Sequence, residues 1–197
     1  MNCDQILRQL SGQGGGIIST RAAEAAGISR AMLSKLYRDG KLQRIAMGQY
    51  ALADGMPDDF LSISLRTEYL VFSHETALYL HGISDRTPFV YSVTVPSEKI
   101  PSPSLRSECK VYYVRQELFD LGRETAQTPF GNSVPCYNLE RTLCDILRSW
   151  NKMSTETFLS ALRQYAASPE KNLNRLNQYA KQMGLTNLVR QYLEVLL

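Results

Sequence analysis

Residues 19–52 read STRAAEAAGISRAMLSKLYRDGKLQRIAMGQYAL. The stretch predicts two short helices that are joined by a sharp turn and followed by a two-stranded hairpin. Ser19 or Thr20 can cap the first helix through its hydroxyl, and Gly27 can end it, because glycine adopts the positive φ that a helix end requires. Two helices joined in this way form a helix-turn-helix.

The second helix is expected from Arg30 to Asp39, with Ser29 as its cap and Gly40 as its end. Ala23 lies one turn before the end of the first helix, where the two helices must cross closely and only a small side chain fits. The apolar contacts of such a pair fall on Ala22, Ala26, Ile28, Leu33 and Leu36.

The other face of the second helix carries small, polar and basic residues. A helix with this face can enter the major groove, since short side chains allow close approach, Arg pairs bidentately with guanine, and Lys and Arg contact phosphates. We expect Arg30 and Ser34 to contact base edges, with Ser29 and Lys35 beside them. The complete set expected to contact DNA is Arg21, Ser29, Arg30, Ser34, Lys35, Arg38, Lys41 and Arg44. The alternative interpretation is a small helical subdomain with an ordinary solvated basic face.

The elements around the two helices complete a winged helix. Residues 42–52 alternate between apolar and polar side chains around Met47-Gly48, which is a hairpin signal and predicts the wing. A first helix over about 4–10 and a short strand at Ile17-Ile18 are expected to pack beside it. The segment GQGGG at 12–16 lacks the GK[ST] ending of a phosphate-binding loop and is expected to be a connector.

The charge of the chain is concentrated in the same region. Residues 1–55 contain seven Lys and Arg against four Asp and Glu, which accounts for the formal net charge of +3 of all 197 residues. The remaining residues are balanced, with 15 basic and 15 acidic side chains. The excess therefore lies where a DNA-binding module would use it to neutralise phosphates.

Several features predict a cytoplasmic protein. No stretch of about 18 apolar residues is present, so no membrane-spanning helix is expected. The N-terminal stretch lacks a basic start and an apolar core, so it does not resemble a secretory signal. Cys3, Cys109, Cys136 and Cys144 are scattered without a CxxC pair, and we expect them to be reduced and partly buried.

The polar, turn-forming stretch 53–59 predicts a domain boundary. The predicted fold is α+β, with an N-terminal winged helix-turn-helix domain at 1–54 and a mixed α/β domain with a helical C-terminal tail at 60–197. The strands of the second domain are expected at about 69–72, 89–95, 110–115 and 134–137. Its helices are expected at about 73–81, 138–150, 155–167, 169–183 and 187–196.

Outside the helix-turn-helix, the sequence offers little support for catalysis. His74 and His81 lie two helical turns apart, about 10 Å, so they cannot share one metal ion. Glu140 and Asp145 point to different sides of their helix and do not converge on one reacting centre. Arg141 and Asp145, four residues apart, are expected to form a structural ion pair. We therefore expect no enzyme activity, no metal and no cofactor.

The order of the segments resembles the AbiEi-family antitoxins of abortive-infection systems. The resemblance rests on GISRAMLSKLYRDGKLQRIAMGQYAL, then FSHETALYLHGISDRTP, the strand VYSVTVP, and VPCYNLERTLCDILR. It covers essentially the whole chain. The blocks ALYLHGI and LERTLCDILR are more specific than the helix-turn-helix, which is a general motif.

The resemblance implies a winged-helix repressor that binds inverted repeats in the promoter of its own operon. It also implies an antitoxin of the type IV class, which counters a nucleotidyltransferase-like toxin without having to bind that toxin directly. In one respect the chain departs from the family, because Met47 occupies a wing position that often carries a basic residue. The phosphate contacts of the wing would then depend on Lys41 and Arg44.

Two other functions remain open from the residues alone. The protein could be a transcription factor whose second domain senses a ligand or docks a partner protein, for which a well-formed apolar pocket with polar groups would be evidence. It could also be a nuclease that the winged helix directs to DNA.

Overall fold

The computed structural model of the protein describes residues 2–84 and 86–193. Internal contacts divide the chain into two compact units. The first unit extends to Arg66 and also includes residues 127–133, and the second contains residues 67–126 and the chain from 134 onward. The architecture is mixed α+β with two sheets, and the N-terminal helical segment fits a winged helix.

Within its described residues, the first unit contains four helices and a small sheet. Strand β3 is central and pairs antiparallel with β1 on one side and β2 on the other. The helices are α1 (Cys3–Gln13), α2 (Thr20–Ala25), α3 (Arg30–Arg38) and α4 (Asp59–Ser64), and the strands are β1 (Ile18–Ser19), β2 (Leu42–Ala46) and β3 (Gln49–Leu52).

The core of the winged helix forms where the apolar spacing predicted it. Ala23 is completely buried at the crossing of α2 and α3, while Ala22 and Ala26 are half-buried at its margin. The hairpin β2–β3 and the short strand β1 confirm the predicted wing. The buried residues of this core are Leu7, Ile18, Ala23, Ile28, Leu33, Leu36 and Leu42.

The glycine-rich connector contains a position that no other residue could occupy without a shift. Gly15 has φ +59°, and a Cβ there would lie 2.5 Å from Oδ1 of Asn132 and 2.6 Å from Cδ2 of Leu61. Gly15 therefore allows the connector to pass closely over these two side chains.

Asp58 explains why α4 belongs to the first unit rather than following a boundary at 53–59. Its buried carboxylate accepts hydrogen bonds from the backbone N–H groups of Phe60 and Leu61, at 3.0 and 3.3 Å, and so caps α4. The other carboxylate oxygen accepts from the hydroxyl of Thr128 at 2.6 Å and from the amide of Asn132 at 2.8 Å. These bonds bring α4 and residues 127–133 into one compact unit with the winged helix.

The second unit is built on a five-stranded sheet of order β6-β5-β4-β8-β7. Strand β4 pairs antiparallel with β5 and parallel with β8, and β5 pairs parallel with β6. The sheet is therefore mixed. The strands are β4 (Val71–Phe72), β5 (Tyr91–Pro96), β6 (Cys109–Val114), β7 (Arg123–Gln127) and β8 (Ser133–Tyr137).

Helix α8 is the centre of the helical part of this unit, and all but the last of its residues lie buried or half-buried. Its apolar side chains pack with those of α9, α10 and α11 into one core. The helices of the unit are α5 (His74–Leu80), α6 (Pro103–Glu108), α7 (Gln116–Phe119), α8 (Leu139–Arg148), α9 (Thr155–Ala167), α10 (Leu173–Met183) and α11 (Thr186–Leu193).

Several predicted bounds differ from the observed ones. The helix predicted from 169 begins at Leu173, because Asn172 caps it by accepting a hydrogen bond of 2.9 Å from the backbone N–H of Arg175. Strand β7 and the short helices α6 and α7 were not predicted, since few of their residues are apolar and buried. The last predicted helix extends to 196, and its residues from 194 lie outside the described part of the chain. No helix among the described residues is long and apolar enough to cross a membrane.

Candidate nucleic-acid interface

Helix α3 presents the polar face that the sequence predicted. The hydroxyl of Ser29 accepts a hydrogen bond of 3.2 Å from the backbone N–H of Met32, so the helix begins where the cap was expected. Leu33 and Leu36 are buried in the core, so the opposite face of α3 points toward solvent. The exposed residues of that face are Ser29, Arg30, Ala31, Ser34, Lys35 and Arg38.

Two larger side chains were missed by the sequence reasoning. Met32 and Tyr37 are 42% and 50% exposed on α3. Helical periodicity places Leu33 and Leu36 in the core and leaves Met32 and Tyr37 outside it. They broaden the exposed surface of α3 with an apolar component suited to contact with sugars or thymine methyl groups.

The wing is hydrogen-bonded to the start of α2. Both the backbone N–H and the hydroxyl of Thr20 donate to the carbonyl oxygen of Gly48, at 2.8 and 3.2 Å. Ser19, rather than Thr20, provides the helix cap by accepting from the backbone N–H of Ala22 at 3.1 Å. The wing turn is thereby held against the helix-turn-helix, and Met47 at its tip is 91% exposed.

The basic residues predicted to contact phosphates are all exposed, but they differ in their present partners. Arg21 lies in the first turn of α2, Arg38 in the last turn of α3, and Arg44 on β2. Lys41 has its Nζ 3.6 Å from a carboxylate oxygen of Asp4, in an exposed ion pair. Exposed pairs of this kind contribute little to stability, so Lys41 can exchange Asp4 for a phosphate.

Arg30 is held by a carboxylate from the preceding helix. Its Nε donates to Oε1 of Glu24 at 2.7 Å, and its Nη2 lies 3.5 Å from Oε2. The sequence predicts a base contact for Arg30 but gives no signal for this partner, because the pair spans six residues across the turn between α2 and α3.

The second unit contains a buried chain of hydrogen bonds around His74. The hydroxyl of Thr94 donates to that of Ser73 at 2.8 Å, and the hydroxyl of Ser149 donates to the backbone oxygen of Asp145 at 2.5 Å. The ring nitrogens of His74 lie between them, with Nδ1 2.9 Å from Ser73 Oγ and Nε2 2.9 Å from Ser149 Oγ. Since each hydroxyl has one hydrogen, the chain is satisfied when Nδ1 accepts and Nε2 donates, which is the neutral imidazole.

The surroundings of His74 agree with this protonation state. Burial lowers the pKa of His74 well below its ordinary value, and the positive charges of Lys110, Arg141, Lys152 and Arg148 lower that pKa further. The ring of His74 also stacks on that of Tyr112, with 3.5 Å between their centroids. Ser73 occupies the N-cap position of α5, but its hydroxyl makes no cap bond and is used in this chain of hydrogen bonds instead.

The acidic residues of α8 each have their own cation. The predicted pair between Arg141 and Asp145 is confirmed, with Nε 3.1 Å from Oδ2 and both side chains buried. Glu140, also buried, accepts from Arg175 at 2.6 and 2.7 Å and from the backbone N–H of Asn172 at 2.9 Å. These carboxylates are engaged in joining structural elements and do not converge on a common point.

Other features of the second unit bear on the alternative functions. A cleft of about 160 Å³ is lined by residues of α5, α9 and the segment after α5, among them Leu78, Arg86 and Glu156. Pockets for small ligands usually measure about 300–1,000 Å³, so this cleft is small for such a role. Among the residues that the structure describes, no three His, Cys, Asp or Glu side chains come together as possible metal ligands.

The fold is similar to that in the crystal structure of the RV2827C protein from Mycobacterium tuberculosis. The TM-score is 0.73 at 16% sequence identity, and the match covers 98% of this chain and 76% of that chain. At this identity the likeness concerns the fold alone. A comparison with curated proteins found no match.

The sequence of the winged helix carries a more specific relationship. The matching family is described as transcriptional regulators of the AbiEi antitoxin type, a description that names no reaction. The matched segment covers α1 to α3 and the wing, the elements that carry the exposed basic face. Residues 5–53 of this chain match the AbiEi antitoxin family of transcriptional regulators, which confirms the resemblance over the winged-helix segment.

Proposed function

We propose that this protein is a transcriptional repressor and antitoxin that binds inverted repeats in the promoter of its own operon. The observation that carries the proposal is the exposed polar and basic face of α3, set beside a wing that Thr20 fastens to α2. In this proposal residues 1–54 bind DNA. Residues 60–197 form the antitoxin domain in this proposal, and within that range α4 and residues 127–133 pack with the winged helix.

The proposed DNA contacts fall into two classes. Arg30 begins α3, at the end of a recognition helix that usually contacts base edges, and Ser34 lies one turn further along the same exposed face, with Ser29 and Lys35 beside them. Arg21, Arg38, Lys41 and Arg44 would contact phosphates, which orient the protein but carry no sequence information. Replacing Arg30 should therefore alter base preference more than overall affinity.

The antitoxin half of the proposal rests on the family match of residues 5–53 and on the resemblance of the later blocks. The partner is a nucleotidyltransferase-type toxin of a type IV system for abortive phage infection, which the antitoxin neutralises without obligatory contact. We propose that the protein acts in the cytoplasm, where promoter DNA is accessible. It has no catalytic activity of its own in this proposal, which agrees with the ion-paired state of Glu140 and Asp145.

The ligand-sensing alternative has less support. It requires a pocket able to enclose a small molecule, and the cleft beside α9 measures only about 160 Å³. A sensor would show a shift in DNA affinity or in melting temperature when its ligand is added. A nuclease would instead cleave promoter DNA in the presence of a divalent metal ion.

The repressor half is tested by measuring binding of the full chain to its own upstream promoter DNA and to a scrambled duplex, across a salt series. A preference for the promoter, with a steep fall of affinity as salt rises, is the expected result. Equal binding to both duplexes at every salt concentration would overturn the repressor assignment.

The antitoxin half needs a separate experiment. The neighbouring nucleotidyltransferase gene is expressed from an inducible promoter, with or without the chain, while the chain itself is transcribed from a foreign promoter. Restored growth is expected, and because the inducible promoter of the toxin gene lacks the operator of the chain, simple repression of the toxin gene is excluded. Growth arrest despite accumulation of the chain would contradict the assignment.

A further inference from the structure

Glu24 lies where it can control the orientation of Arg30. The carboxylate stands in the last turn of α2, and Arg30 is the first residue of α3. Their side chains meet across the helix-turn-helix corner at 2.7 Å between Nε and Oε1, with Nη2 3.5 Å from Oε2. The guanidinium is thus held along one edge by a residue of the neighbouring helix.

The contact leaves the distal end of the guanidinium unoccupied by Glu24. Arginine has five N–H donors in a rigid planar fork. Glu24 takes the Nε–H and approaches one hydrogen of Nη2, so both hydrogens of Nη1 and the second hydrogen of Nη2 remain. Nη1 and Nη2 together form the pair of donors that matches O6 and N7 of guanine. Arg30 can therefore hold Glu24 and a guanine at the same time.

Stability gives little reason for this ion pair. The side chains of Arg30 and Glu24 are 77% and 40% exposed, and exposed pairs contribute little to the free energy of unfolding. A carboxylate in the last turn of a helix also faces the negative end of the helix dipole. The position of Glu24 is thus explained better by its effect on Arg30 than by its effect on the fold.

We propose that Glu24 is a positioning residue that determines DNA specificity by fixing the guanidinium of Arg30 for end-on pairing with guanine. The inference rests on the proposed function and adds a residue to its recognition site. Holding Arg30 in one orientation reduces the side-chain entropy lost when it pairs with the base. The carboxylate also repels phosphates, so Arg30 is less able to bind DNA at sites where no guanine meets it.

Loss of the Glu24 charge should affect binding to the specific duplex and to scrambled DNA differently. Without the charge of Glu24, Arg30 becomes a mobile cation that can reach phosphates on any sequence. We expect Glu24→Gln to increase affinity for scrambled DNA and to reduce the ratio of specific to scrambled binding by about tenfold, within the range of one bidentate base contact. Glu24→Ala, which removes the acceptor entirely, should reduce that ratio at least as far.

The experiment begins with selection of preferred duplexes from a randomised pool by the full wild-type chain. The selected duplex and a scrambled one are then bound by wild type, Glu24→Gln, Glu24→Ala and Arg30→Ala. Asp39→Asn is the matched control, because Asp39 is an exposed acid at the C-terminal end of α3, the helix that carries Arg30. It should raise affinity for both duplexes alike and leave their ratio unchanged. Circular dichroism melting checks that each variant is folded.

Base selection provides a readout that a merely structural role would not change. A guanine position whose selection is lost in Arg30→Ala should also weaken in Glu24→Gln, and in the Arg30→Ala background the Glu24 substitution should have no further effect on the ratio. An unchanged ratio in Glu24→Gln, or additive effects of the two substitutions, would overturn the role of Glu24. If wild type selects no sequence at all, the proposed DNA-binding function itself fails, and the two failures are thereby distinguished.

Discussion

Arg141 donates from Nε to Oδ2 of Asp145 at 3.1 Å, one turn further along α8, and both side chains are buried. Its Nη1 donates to the carbonyl oxygens of Leu118 and Leu121 at 2.5 and 2.8 Å. The guanidinium also lies over the ring of Tyr137, with 4.1 Å to its centroid. One side chain therefore joins α8 to α7, to the segment after it and to the end of β8.

Replacing Arg141 should destabilise the second unit strongly. Arg141→Ala leaves Asp145 as an unpaired buried carboxylate and two carbonyls without their donor, and we expect a loss of about 3–5 kcal/mol in the free energy of unfolding. Urea denaturation measures this loss, with Arg163→Ala on the exposed side of α9 as control. A loss no larger than that of the control would show that the buried network does not maintain the fold.

Asp58 should matter in a similar way for the first unit. Asp58→Ala removes the cap of α4 and leaves Thr128 and Asn132 without their acceptor, so we expect a loss of about 3 kcal/mol. Asp58→Asn retains an oxygen acceptor that can cap the helix and should lose less. Denaturation curves of both variants measure the difference. Equal losses of stability would contradict a separate contribution from the cap of α4.

The buried neutral His74 predicts a pH dependence of stability. Because the folded-state pKa of His74 lies below its unfolded value near 6.5, the unfolded chain binds more protons between those two values. The contribution of His74 to the free energy of unfolding is therefore intact above about pH 6.5. Below that pH it falls by at most about 1.4 kcal/mol per pH unit.

The test compares wild type with His74→Asn. His74 has φ +50°, a conformation that asparagine tolerates better than most residues, so the substitution removes the titrating group without adding backbone strain. Melting temperatures from pH 7.5 to 5 should fall more steeply in wild type than in the variant, while the remaining titrating groups contribute to both. Parallel curves would contradict a depressed pKa for His74.

The salt dependence of DNA binding should separate the two classes of predicted contacts. Arg44→Ala removes a phosphate contact, so affinity for all duplexes should fall about equally and the slope of log K against log salt should decrease by about 1. Arg30→Ala should instead lose discrimination between promoter and scrambled DNA. Equal losses on both duplexes for both variants would remove this division of roles.

The winged helix could be predicted closely because its signals are local. Gly27 and Gly40 both have positive φ at helix ends, and Ser19 and Ser29 both provide caps, so turn and cap chemistry alone fixes α2 and α3. The exposed basic face followed from helical periodicity, since buried positions on one side determine which residues remain outside. Such inferences need only a few consecutive residues.

The second unit was harder to predict because its structure depends on contacts between distant residues. Strand β7 has one buried residue, Ala126, and owes its place in the sheet to its neighbour β8 rather than to its own pattern. The partners of His74 lie as far away as Ser149, and those of Glu140 as far as Arg175. By contrast, the pair of Arg141 and Asp145, one helical turn apart, could be predicted from spacing.

The burial of three of the four thiols leaves Cys3 as the site for selective chemical modification. Cys109, Cys136 and Cys144 are buried, whereas Cys3 at the start of α1 is partly exposed. Burial raises the pKa of Cys136 and raises that of Cys144 to about 12, so these thiols rarely form the thiolate that attacks electrophiles. A maleimide dye should therefore attach at Cys3 in the native chain. A fluorescent reporter can thus be introduced into the winged-helix unit without any mutation.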